Sequence, residues 1–172
     1  MSAPALVLIG PMGAGKTSIG RRVAKALGVP FADTDAAVVA AHGPIDELFT
    51  AQGEAAFRAL EREAVRTALA SGGVVALGGG AVLDPRTQAD LAAHRVVLLT
   101  VSRRVVAGRV QGTRRPLLRS DEESPLDRWQ RVYEERRPLY DSLADVVFDT
   151  SSGPLQDVVD RIAEWAGGAA HE

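Results

Sequence analysis

Five short apolar runs alternate with longer stretches in which apolar residues return every three or four positions. The runs are Ala5–Ile9, Val29–Asp33, Val74–Leu77, Val96–Val101 and Val146–Phe148, each of buried-strand length. After the first, Ile19, Val23 and Leu27 recur at a spacing of four, one face of a helix. Residues 44–70 carry the same period, with Phe57, Leu60, Ala64 and Ala68 on one face, and Gly72-Gly73 ends it. Asp84 and Pro85 read as the cap and first turn of another helix. Helical patterns also cover 102–110, 126–142 with a break near Pro138, and 155–165. The polar stretch 111–125 reads as a loop, and 167–172 as a loose tail. Strands alternating with helices predict an α/β fold: a doubly wound, five-stranded parallel sheet with helices on both faces. No internal repeat or linker interrupts it, so residues 1–172 are expected to form a single domain. In such a sheet ligands bind beyond the carboxyl ends of the strands. The polar residues just after each strand are therefore the candidates for chemistry.

Composition narrows the classes. The net charge is -2 and the pI is near 5.9, which gives no electrostatic footprint for nucleic acid or a membrane surface. There are no cysteines, which excludes disulfides, thiolate metal sites and Cys nucleophiles. The apolar run Ala5–Ile9 is far too short to span a bilayer, and no leader pattern precedes it, so the expected location is the cytoplasm. Lys16 and Lys25 are the only lysines in an arginine-rich chain, which draws attention to Lys16.

Lys16 lies in a glycine-rich motif. Gly10-Pro11-Met12-Gly13-Ala14-Gly15-Lys16-Thr17 fits G-x-x-x-x-G-K-[ST] between the first strand and the first helix. Such a loop cradles phosphates with its backbone N–H groups, and the helix N-terminus adds positive charge. Lys16 is placed to reach the outer phosphates and the Thr17 hydroxyl to ligate Mg²⁺. Asp33-Thr34-Asp35 follows the second strand. One reading holds magnesium there, and the competing reading makes one acid the cap of a helix starting near Ala36. Gly78-Gly79-Gly80 follows the third strand, where something must approach the backbone closely, or else the chain simply turns. Arg58 lies about 100° off the Phe57 stripe, and Glu61 three residues on can hold its guanidinium. The tandems Arg114-Arg115 and Arg136-Arg137 suit a phosphate lid and a carboxylate clamp, or plain surface charge. His42, His94 and His171 show no ligand spacing, and Trp129 and Trp165 fit helix packing.

Taken together these residues resemble shikimate kinase. The similarity runs from the loop Gly10–Thr17 through Asp33–Asp35, Phe57-Arg58, Gly78–Gly80 and Arg115–Leu118 to Arg136–Tyr140. The resemblance implies a P-loop kinase with a mobile lid at about 111–125 and a substrate-binding helical region at about 34–62. It implies transfer of the γ-phosphoryl of MgATP to the 3-hydroxyl of shikimate, by a monomer, with Lys16, Asp35 and Arg115 catalytic. Gly13, Ala14, Gly15, Lys16, Thr17, Ser18, Arg109, Arg115 and Pro154 would bind ATP, and Thr17 and Asp33 the metal. Asp35, Arg58, Gly78, Gly79, Gly80 and Arg136 would bind shikimate. The registers of the two arginine motifs select Arg115 and Arg136 within their tandems. The acids Asp121, Glu122 and Glu123 behind Arg115 are expected to face outward when the lid closes. The rival readings are another small-molecule kinase, acting on gluconate or a nucleoside monophosphate, and a regulatory GTPase. No Asn-Lys-x-Asp run for guanine supports the latter.

Overall fold

The computed structural model describes residues 3–109 and 123–168. The apolar runs form five strands, β1 (Leu6–Ile9), β2 (Phe31–Asp33), β3 (Val74–Ala76), β4 (Arg95–Thr100) and β5 (Val146–Asp149). They form one parallel sheet in the order β2-β3-β1-β4-β5. β1 and β3 are buried along their whole length, as strands covered on both faces must be. The intervening helices are α1 (Lys16–Leu27), α2 (Thr34–His42), α3 (Ile45–Ser71), α4 (Pro85–Leu91), α5 (Arg103–Arg109), α6 (Pro125–Leu143) and α7 (Leu155–Gly168). A short 3₁₀ turn, Ala81–Leu83, follows the glycine run.

Two large cores sit on opposite faces of the sheet. One packs α1, α7 and Trp129 against Leu6, Leu8, Val97 and Leu99; the other packs α3, α4 and Tyr140 against Val7, Ile9, Val75 and Leu98. α6 touches both, since Trp129 belongs to the first, Tyr140 to the second, and Tyr133 packs on each. A third, small cluster of Val38, Leu48 and Phe57 joins α2 to α3. The chain leaves β1 for β2 on one side and later returns from β3 to β4 on the other. The topological switch point therefore lies at the carboxyl end of β1, where the Gly-rich loop begins.

The acidic segment after β2 opens a helix, as one of its two readings expected: Asp33 is the cap and α2 starts at Thr34. Two expectations need correcting. The helix predicted at 44–70 is interrupted at Gly53 (φ 84°, ψ 171°), where glycine adopts a backbone that helices exclude. The break near Pro138 is absent, and α6 runs through it. Proline removes one N–H there, but its fixed φ is helical, and the turns on either side are held by Tyr133 and Tyr140.

Candidate active site

Two cavities open at the carboxyl end of the sheet. The first, about 470 Å³, is lined by Gly13, Gly15, Lys16, Thr17 and Ser18 of the loop, with Arg109 and Leu155 opposite. The second, about 570 Å³, is bounded by Arg58, Glu61, Arg136 and Tyr140, with Val39, Ile45, Phe49 and Phe57 as an apolar wall. Met12, Asp33, Asp35 and Gly79 line both, so the two cavities share a partition.

The loop is shaped by glycine and held by its surroundings. Gly15 (φ 94°) caps α1 in the left-handed region. Lys16 Nζ donates to the carbonyls of Gly10 (2.6 Å) and Pro11 (3.0 Å). Arg109 Nη1 donates to the Gly13 carbonyl (2.8 Å), and its Nη2 to the carbonyl of Thr150 (3.1 Å). Thr150, fully buried, donates its hydroxyl toward the Ala14 carbonyl (2.9 Å). Ala14 is itself buried and contributes through this backbone bond. At the end of β5, burial pushes the Asp149 carboxyl up, but bonds from Thr100 and Ser151 prevail and hold it below its usual range. Pro154 is exposed beside Leu155, which is the residue of that turn lining the cavity.

Asp33 serves two purposes at once. Its Oδ1 accepts from Ala36 N (3.0 Å) and caps α2, while its Oδ2 accepts from the Thr17 hydroxyl. The two readings of that acid are therefore compatible. A hydroxyl and a carboxylate side by side at a phosphate loop are hard oxygen donors of the kind Mg²⁺ prefers.

The glycine run is enforced by close approach. A Cβ on Gly78 would meet Asp35 Oδ1, and one on Gly80 would sit 2.6 Å from both Arg58 Nη atoms. Gly78 N donates to the buried Thr34 hydroxyl (3.1 Å), which locks the run to the start of α2. Tyr140 donates to the Gly79 carbonyl (2.6 Å). Arg58 Nη1 donates to Glu61 (2.7 Å), whereas its Nη2 is buried without a hydrogen-bond partner among the described residues. The Glu54 carboxylate stands 3.6 Å from that Nη2. Burial raises the Glu61 carboxyl above its ordinary value, and Arg58 opposes the shift. Burial likewise pushes the Tyr140 hydroxyl up, against Arg136. The second arginine tandem separates cleanly. Arg136 lines the cavity, while Arg137 turns to the Tyr133 hydroxyl (2.8 Å) and Asp141 (2.9 Å).

Arg114, Arg115, Asp121 and Glu122 lie outside the described residues, as does His171 and nearly all of the expected lid. Glu123 pairs with Arg131 (2.7 Å) on α6. Sequence reading missed Thr34, Thr150 and the hydrogen-bonding role of Trp129, whose Nε1 donates to the Met12 carbonyl (2.7 Å). All three act on backbone far away in sequence, so no local signal marks them. Tyr140 carried one, standing four residues from Arg136 and hence on its helix face.

A family model for shikimate kinase matches residues 12–166. The shikimate kinase of Thermobifida fusca is 48% identical over 166 residues, covering 95% of each chain. That of Streptomyces coelicolor is 47% identical over 161 residues, covering 92% of each. Among solved structures, shikimate kinase from Acinetobacter baumannii in complex with shikimate superposes with a TM-score of 0.90 at 30% identity, over 98% of this chain and 95% of that one. The family match runs from Met12 within the loop through the partition and nearly all the lining of both cavities, and on that breadth the chain belongs to the shikimate kinase family.

Proposed function

We propose that the protein transfers the γ-phosphoryl group of ATP to a hydroxyl of shikimate, giving shikimate 3-phosphate and ADP. The observation that carries this is the shared partition. A phosphate-loop cavity and a second cavity holding two guanidiniums meet at Asp33, Asp35, Met12 and Gly79. A donor bound on one side and an acceptor on the other would react across that wall.

On this reading the second cavity takes the carboxylate of shikimate between Arg58 and Arg136. The Arg58 Nη2, buried and without a hydrogen bond among the described residues, supports it, since a buried guanidinium nitrogen gains most from a ligand carboxylate. Glu61 holds Arg58 by its other nitrogen and fixes the direction in which it points. Asp35 orients the attacking hydroxyl and takes its proton, the positioning on which phosphoryl transfer depends. Gly78, Gly79 and Gly80 let the acceptor lie against the backbone. On the donor side the amides from Gly13 to Ser18 wrap the phosphates, and Arg109 and Pro154 flank the adenine. Lys16 exchanges its bonds to the Gly10 and Pro11 carbonyls for phosphate oxygens. Thr17 and Asp33 would hold Mg²⁺, which when bound neutralises charge on the phosphates. Arg115, on a lid at 111–125, would complete the charge on the transferring group, and residues 34–62 form the acceptor-binding region.

A coupled ADP-release assay with shikimate, gluconate and AMP as acceptors tests the reading. ADP release that depends on shikimate and saturates with it is expected. Release driven by gluconate or AMP, with none from shikimate, would overturn it.

A further inference from the structure

Every peptide carbonyl from Gly10 to Gly15 accepts a hydrogen bond from the protein. Lys16 serves Gly10 and Pro11, Arg109 serves Gly13, Thr150 serves Ala14, and Ile19 N serves Gly15 (2.9 Å). The Met12 carbonyl is served by the indole N–H of Trp129. In a trans peptide the C=O and the following N–H point in opposite directions. A donor fixed on the Met12 carbonyl therefore turns the Gly13 N–H the other way, and Gly13 lines the nucleotide cavity.

Trp129 is only 3% exposed, yet its ring borders the acceptor cavity. Arg136 follows seven residues later, two turns along the same face of α6. One turn beyond, Tyr140 holds the Gly79 carbonyl of the partition. A single helix packed on both layers of the fold thus grips the phosphate loop at one end and the acceptor clamp at the other.

We propose that Trp129 is a positioning residue that fixes the phosphate loop relative to the helix carrying Arg136, so that nucleotide and acceptor binding are coupled through α6. This rests on the two-substrate reading above. An acceptor that draws Arg136 into one position biases α6, and the Trp129–Met12 bond passes that bias to the Gly13 amide. The coupling is reciprocal, because it is a free energy shared by two binding sites.

Trp129→Phe keeps the ring and removes the donor. The expected result is a rise of about three- to tenfold in KM for ATP with a fall in kcat, the loss due to one hydrogen bond. The Kd of shikimate measured without nucleotide reads separately any effect of the smaller ring on the acceptor cavity that Trp129 borders. The factor by which a non-hydrolysable ATP analogue tightens shikimate binding falls toward one. Wild-type values for KM of ATP and for that factor, or no such factor in the unaltered protein, overturn the proposal. A second measurement needs no folded variant at position 129. The indole N–H resonance of Trp129 in the ¹⁵N-labelled protein, assigned by comparison with Trp165→Phe, shifts on adding ADP alone and on adding shikimate alone. A resonance indifferent to ADP overturns the positioning role whatever the acceptor. If ADP shifts it while shikimate neither binds nor reacts, the acceptor assignment fails and the Trp129 role stands.

Discussion

The two halves of the site are built in different ways. The donor loop is stitched to the main cores: bonds reach it from α5, α6 and the end of β5, and it grows directly out of β1 at the centre of the sheet. The acceptor side is carried on α2 and α3, whose junction rests on a small cluster of three buried residues, with a glycine interruption at Gly53. The non-helical backbone at Gly53 interrupts the regular hydrogen-bonded helix of this arm. Binding energy on the donor side can go into ligand, since the loop is already shaped. On the acceptor side we expect part of it to go into adjusting the α2–α3 arm at its Gly53 break. Damage to the donor half should therefore appear as damage to the fold, and damage to the acceptor half as lost acceptor affinity in an intact protein.

The largest effect is expected on the partition itself. Asp35→Asn should lower kcat by about 10²–10⁴-fold, the usual contribution of a positioned general base. KM for ATP should stay within about threefold, because the hydrogen bonds described from Arg109, Trp129 and Thr150 to the phosphate loop are untouched. Turnover within a few fold of wild type would remove Asp35 from the chemistry. A parallel loss of nucleotide binding would instead erase the distinction between the halves.

Next comes the donor half. Gly10 has φ 144°, and a Cβ there would strike the Leu99 carbonyl of the neighbouring strand, where backbone cannot yield cheaply. Gly10→Ala should cost about 3 kcal/mol, lowering the melting midpoint by about 6–12 °C in a chain of this size. The corresponding change on the acceptor side is Gly80→Ala, whose Cβ meets the flexible end of Arg58 rather than backbone. Displacing that guanidinium should raise KM for shikimate about tenfold, roughly 1.4 kcal/mol, with KM for ATP and the melting midpoint little changed. Equal losses of melting midpoint in the two variants would break the comparison.

The same contrast explains what could be read before the structure. The donor loop is eight contiguous residues between a strand and a helix, so its pattern and its meaning lie in one line of sequence. The five strands were legible because a parallel sheet buries near-continuous apolar runs. On the acceptor side the residue types were legible in Asp35, Arg58 and Arg136, but their shared cavity follows from the α2–α3 packing. Helix α2 was legible only as one of two readings, because Asp33 is both its cap and a partner of Thr17, and its apolar residues do not gather on one face. The kink at Gly53 and the uninterrupted helix at Pro138 are settled by tertiary packing that overrides local propensity. Trp129 and Thr150 bond backbone 117 and 136 residues away, and no periodicity records such a partner.

The smallest effect, and the one most particular to the acceptor half, concerns pH. Glu61 is buried at 4% exposure, and burial raises its carboxyl above the ordinary 4.5 while the Arg58 bond pulls the other way. The folded protein therefore holds that proton more tightly than the unfolded chain. The contribution to stability is full below about 4.5, is lost as pH rises to the folded value, and is constant above it. Glu61→Gln removes the group, so the stability of wild type minus variant should fall with pH across that window and flatten at higher pH. Thermal melts from pH 4 to 7 read this difference, and parallel curves would show that Glu61 is not shifted in the fold. The functional consequence runs in the opposite direction. Only the ionised carboxylate gives Arg58 a charge-assisted bond, so KM for shikimate should rise as wild type is acidified through the same window. KM for ATP should follow less, since the hydrogen bond described for Glu61 goes to Arg58 on the acceptor side. Thus one proton that favours the fold loosens the acceptor clamp, which is the expected sign of a half-site whose stability is exchanged for ligand binding.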